Sequence, residues 1–205
     1  AIVVRLTPIL ILFAHPAFDR SRVHRQLVGA VSDLPGVTFH DLYEAYPDFD
    51  VDVRREQELL LAHDVVVFQH PFYWYSTPPL VKQWEDLVLE HGWAYGTGGS
   101  ALHGKRLLSA ISAGGPQEAY CPDGYNRFSI RQLLTPIEQT ARLCGMEYLP
   151  PFVVYGTLRL GEGEIGAVAA EYGRLIEALR DDRVDPDRAR ATDCLPADVS
   201  GILRG

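Results

Sequence analysis

A chain of 205 residues, 47% hydrophobic and 22% charged, has enough apolar side chains to fill the core of one α/β domain. Its formal net charge of −8 argues against binding nucleic acid or an anionic membrane surface, since either would want a basic face. Three widely spaced cysteines with no CxxC pair argue against a disulfide framework, and seven scattered histidines with no HxxxH pair argue against a metal site.

The first strand is Ile9–Phe13, a short apolar run. It is too short to span a membrane and carries no small-residue cleavage pattern, so a cytoplasmic protein is expected. A small residue, His15 and Pro16 follow it, then the polar stretch Asp19, Arg20, Ser21, Arg22. Val23, Leu27, Ala30 and Val31 then fall at helical spacing. A buried strand leading through a polar loop into a helix N-terminus makes an anion site, because backbone N–H groups and the positive helix end face the loop.

Residues 37–42 alternate weakly and read as the second strand. Residues 52–62 form a helix, with Asp52 as a candidate N-cap and Leu59 and Leu60 on it. Residues 65–68 are continuous and β-branched, a strand buried on both faces. Pro78 and Pro79 open the next helix, with Leu80, Trp84, Leu87 and Val88 on one face. Arg106–Ser112 is the fourth strand. Residues 130–144 read as one helix, with Leu133, Leu134, Ile137, Ala141 and Cys144 in register and Gly145 as its stop. Residues 153–155 form the fifth strand, and residues 165–179 the last helix. Strands alternating with helices predict an α/β fold, a doubly wound sheet of five parallel strands with helices on both faces. Periodicity fades over residues 181–205, so this tail is expected to be poorly ordered or packed on a neighbour.

Three loops stand out. In the doubly wound order that sets strands one, three and four side by side, the loops at their carboxyl ends converge at the switch point, where ligands bind. The first loop holds His15, which suits either a structural or a functional role, and Ser21, which can cap the helix or donate to a phosphate. The second presents Phe72, Tyr73, Trp74 and Tyr75 in a row. Four consecutive aromatics suit a hydrophobic plug, an oligomer contact or a wall against a flat ring. The third holds Ser112, Ala113, Gly114 and Gly115, whose glycines allow close backbone approach and expose N–H groups, or simply make a turn.

FAHP at 13–16, QHPFYWYSTPPLVKQWED at 69–86, HGWAYGTGGSALHGK at 91–105 and AGG at 113–115 together resemble the NAD(P)H:quinone oxidoreductases of the flavodoxin-like superfamily. YPDFDVD at 46–52 and MEYLPPF at 146–152 bring the resemblance closest to the ancillary subunit of glutathione-regulated potassium-efflux systems. It spans residues 9–180, which makes 1–180 a flavodoxin-like flavin-binding domain followed by the tail. The resemblance implies FMN rather than the FAD of the animal relatives, with NADH or NADPH as co-substrate and a quinone-like acceptor in a ping-pong hydride transfer. It implies a homodimer with its active site at the subunit interface. It carries the flavin contacts onto His15, Ser21, Arg22, Val23 and His24, onto Phe72, Tyr73, Trp74 and Tyr75, and onto Ser112, Ala113, Gly114 and Gly115. The N–H groups of Gly114 and Gly115 would stabilise negative charge on the ring, as in an oxyanion hole. Tyr120 falls at the family's aromatic position on the substrate side. Two positions depart from the family: His24 replaces a common Asn, and Tyr125 and Asn126 stand where a His is frequent. An alternative reading is a flavin-bearing subunit that activates a potassium-efflux membrane protein from the inner face of the cell membrane. The aromatic loop argues against a third, a flavodoxin-type electron carrier.

Overall fold

The computed structural model describes residues 6–195 and 199–204. Residues 1–5 of the expected domain, and 196–198 and 205 of the tail, lie outside the described residues. The strands are β1 (Ile9–Phe13), β2 (Val37–Asp41), β3 (Val65–Pro71), β4 (Arg106–Ser112), β5 (Glu147–Tyr148) and β6 (Phe152–Val154). The helices are α1 (Arg22–Val31), α2 (Leu42–Ala45), α3 (Val53–Ala62), α4 (Pro79–Val88), α5 (Ile130–Leu133), α6 (Thr135–Leu143), α7 (Glu162–Arg180) and α8 (Pro186–Arg190). All pairing is parallel, in the order β2-β1-β3-β4, with β5 and β6 both on the outer side of β4. This is the doubly wound sheet expected from the alternation.

The five residues of β1 and seven of β3 are buried throughout, so their side chains feed both faces. Leu10, Leu12, Val66 and Phe68 pack with Leu60, Trp84, Ile137 and Ala141. Ile9, Ile11, Val65 and Val67 pack on the opposite face with Val23, Leu27, Tyr172 and Leu175. Helix α1 lies along α7, where Gly173 would set a Cβ 3.3 Å from the Ala30 carbonyl, and so keeps the two helices close.

Four expectations needed correction. Asp41 ends β2 early because its carboxylate caps α2, accepting from Tyr43 and Glu44 N–H. In α4 the buried stripe is Leu80, Val81, Trp84 and Val88; Leu87 lies at its rim, 37% exposed. The single helix over 130–144 is two helices broken at Leu134, because Pro136 has no N–H with which to continue the ladder. The expected fifth strand is β6, one residue earlier at each end, and it is preceded by a further short strand, β5, from which Pro150 and Pro151 separate it. Gly145, at φ +71°, does end α6. The described part of the tail folds back on this chain's own body, burying Val184, Ala189, Leu195, Val199 and Ile202 against the α1–α7 face.

One buried carboxylate ties the layers below α3 and α4 together. Glu56 is fully buried and accepts from His40 Nε2 at 2.8 Å, Tyr46 OH at 2.5 Å and Trp84 Nε1 at 2.8 Å. Burial opposes its ionisation, but hydrogen bonds from His40, Tyr46 and Trp84 hold its carboxyl below the usual range. A depressed folded-state value stabilises the fold above the ordinary carboxylate range, and that contribution disappears as pH falls through the lower folded value. Glu56→Gln sets an amide donor against one of these donors and should cost about 1–3 kcal/mol in urea unfolding at neutral pH. The gap to wild type should narrow on acidification. Equal unfolding midpoints at neutral pH would show that Glu56 does not organise these layers.

Candidate functional site

The carboxyl ends of β1, β3 and β4 lie side by side, with Phe13 opposite Gln69 and Pro71 opposite Ser112. Beyond them the loops enclose an open cleft of about 650 Å³. Ala17, Arg20, Ser21 and Val23 line one side, Phe72 and Tyr73 another, and Ser112 and Gly114 the floor, with Thr157 and Leu158 opposite.

Polar groups left over by the fold face this space. Ser21 is the N-cap of α1, its Oγ accepting from His24 N–H at 3.1 Å. The next N–H groups, of Arg22 and Val23, have no acceptor within the helix. Among the described residues, the N–H groups of Gly114 and Gly115 likewise make no bond to a protein acceptor. Arg22 is committed elsewhere: Nε donates to Glu162 Oε1 at 2.7 Å and a terminal nitrogen to Leu160 O at 3.0 Å. Arg20 carries the remaining positive charge on that side of the lining.

The histidines beside the cleft are neutral. His15 Nδ1 accepts from Ala17 N–H at 3.0 Å, and burial lowers its imidazole below the usual histidine range. Burial takes His24 further down, with His15 and His70 adding to the effect, and His70 is lowered to about 4 by burial. Positive potential in the cleft therefore comes from the helix end and Arg20, not from imidazolium.

The aromatic row splits. Residues 73–76 make a tight turn, with Ser76 N–H donating to Tyr73 O at 3.0 Å. Trp74 at φ +50° and Tyr75 at φ +64° both occupy the left-handed region, where a bulky side chain costs about 1–3 kcal/mol. The turn leaves Trp74 92% exposed. It sends Tyr75 to the far side of Phe72, where its hydroxyl donates to Asn126 Oδ1 at 3.2 Å.

A family of flavodoxin-like fold matches residues 7–177. The chain belongs to that family. This flavodoxin-like chain is 48% identical to ancillary protein KefG of the glutathione-regulated potassium-efflux system of Pectobacterium carotovorum, over 82% of this chain and 92% of that protein. Among solved structures it is similar to general stress protein 14 of Treponema denticola in complex with FMN, at TM-score 0.79 and 40% identity over 84% of this chain and 99% of that one. It is also similar to an NADPH-quinone reductase of P. pentosaceus, at TM-score 0.75 and 33% identity over 82% of this chain and 97% of that one.

The flavodoxin-like order thus brings His15, Ser21, Arg22, Val23, Phe72, Tyr73, Ser112 and Gly114 to one cleft. Five residues expected to contact a cofactor do not line it, Gly115 among them, and neither does Tyr120. The His24 ring is fully buried under the floor; Ala113 is buried and stitched to β6 by its N–H; Trp74 projects outward; Tyr75 lies beyond Phe72. Gly115 sits against the Tyr120 ring, which a Cβ there would meet at 3.1 Å. Tyr120 in turn packs edge-on against Phe72 at 6.2 Å. Sequence reasoning missed Thr157 and Leu158. Their loop follows β6, which pairs with the carboxyl end of β4, and Gly156, at φ +65°, was the signal for it.

Because Ser21 caps α1 through its oxygen, Ser21→Ala should lower stability of the ligand-free protein by about 0.5–2 kcal/mol in urea. An unchanged midpoint would remove the cap from the account.

Proposed function

We propose that this chain is an FMN-dependent NAD(P)H:quinone oxidoreductase working by two successive hydride transfers. One observation carries the reading: unsatisfied N–H donors stand at the α1 N-terminus and at Gly114, both on a cleft walled by Phe72 and Tyr73, with the Gly115 N–H next in the chain. That pattern fits a planar ring with a phosphate tail. The N–H groups of Arg22 and Val23, the Ser21 hydroxyl and Arg20 would hold the phosphate. Phe72 and Tyr73 would flank the ring, and the Gly114 and Gly115 N–H groups would stabilise negative charge on its edge. FMN, when bound, supplies the capacity to take up and pass on a hydride. Complexation of FMN by general stress protein 14 of Treponema denticola and similarity to the NADPH-quinone reductase support the choice over FAD and over simple electron carriage.

The reading includes a homodimer. Trp74, Tyr125 and Phe128 are 92%, 89% and 55% exposed around the aromatic turn, more apolar surface than a monomer ordinarily leaves in one region. Similarity to KefG supports a second role at a potassium-efflux membrane protein, compatible with the first. The protein would then work in the cytoplasm, at the inner face of the membrane. No helix among the described residues is long and apolar enough to cross one.

The purified protein should show a flavin spectrum, and heat should release a compound with the mass of FMN. NADH or NADPH should bleach the spectrum without oxygen, and a quinone should restore it. Stoichiometric FAD, or no flavin after reconstitution, would contradict the reading. Tyr120, packed against Gly115 and Phe72, is proposed to donate a hydrogen bond to the quinone oxygen as charge develops there. Tyr120→Phe should slow reoxidation by quinone up to about 10²-fold, with less effect on reduction by NAD(P)H. Stopped-flow traces unchanged in both half-reactions would remove Tyr120 from that role.

A further inference from the structure

His24 lies in the first turn of α1, directly behind the cleft, and the structure shows what its ring does there. Its ring is fully buried between the cleft floor and the α1–α7 face, with Phe13 and His15 in ring contact at 5.8 and 5.3 Å. Nε2 lies 2.9 Å from Ser112 Oγ, while Nδ1 is buried with no partner. Burial, with His15 and His70 nearby, keeps the imidazole neutral, so one ring nitrogen carries hydrogen. A hydrogen on Nδ1 would be a buried donor without an acceptor, the costlier defect. The same face also buries Gln69, whose Oε1 accepts from Tyr172 OH at 2.9 Å and whose Nε2 has no acceptor. The hydrogen therefore sits on Nε2 and is donated to Ser112 Oγ. With that bond filling an oxygen lone pair, the Ser112 O–H can turn toward the cleft that Ser112 lines.

We propose that His24 is a positioning residue that fixes Ser112 as a hydrogen-bond donor into the cleft, so that Ser112 and the N–H groups of Gly114 and Gly115 form one run of donors toward an acceptor edge of the cofactor ring. The link to the cofactor rests on the FMN reading; the orientation of the pair does not.

Two measurements test it. In the ligand-free protein labelled with 15N-histidine, the two ring nitrogens of His24 are distinguished by chemical shift. The Nε2–H form should persist between about pH 5 and 8, the range where a free histidine titrates. An Nδ1–H form, or a His24 that becomes charged in that range, would overturn the proposal. In FMN titrations, Ser112→Ala and His24→Phe should each weaken binding about tenfold, the effect of roughly 1.4 kcal/mol. His24→Gln, whose side-chain amide can still donate to Ser112, should stay within about threefold of wild type, less than half that free energy. Equal FMN affinity for His24→Phe and His24→Gln would also overturn it. Wild-type protein that binds no FMN would sink the functional reading, while the 15N measurement would still decide how the pair is oriented.

Discussion

The site depends on one constraint: β1, β3 and β4 are buried on both faces and end together. Side chains along them cannot carry polar chemistry without a burial penalty, so the chemistry moves to the loops beyond their carboxyl ends. Those loops must satisfy their own backbone first, and they do so by stitching to one another. Ala14 N–H donates to Gln69 O, Phe72 N–H to Ser112 O, Ala113 N–H to Val154 O, and Gly156 N–H to Gly115 O. The N–H groups of the first turn of α1 and of the Gly114–Gly115 pair fall outside this stitching. They are what the fold has left to offer a ligand.

The electrostatics follow from the same burial. The chain is acidic overall, yet the cleft gathers helix dipole, free N–H groups and Arg20 on one side. His15, His24 and His70 stay neutral there because desolvation outweighs their hydrogen bonds. They act by geometry: His15 shapes the start of the first loop through Ala17, and His24 sits on Ser112.

Much of this was legible in the residues. A short apolar run marked β1, a continuous β-branched run marked β3, and helical spacing marked α1, because those signals come from burial itself. The Ser21 cap and the Gly145 stop were readable because a single residue carries each effect. The break at Leu134 was harder to see, since the apolar pattern runs through it and only Pro136 registers the lost hydrogen bond, and β5 was missed because two residues are too few to show a period. The aromatic row could not be resolved from composition. Which rings face the cleft depends on the left-handed backbone at Trp74 and Tyr75, and neither residue type advertises it. His24 reads as a loop contact in sequence, but lies under the floor because its helical position turns the ring toward Phe13 and the sheet.

The central claim is that the α1 N-terminus holds a phosphate. Calorimetric titration of flavin-free protein with FMN, and separately with riboflavin, tests it most directly, since the two ligands differ only in that group. Two or more charge-assisted hydrogen bonds at roughly 1.5–3 kcal/mol each predict that FMN binds at least about 100-fold more tightly. Equal affinity for the two ligands would contradict the account.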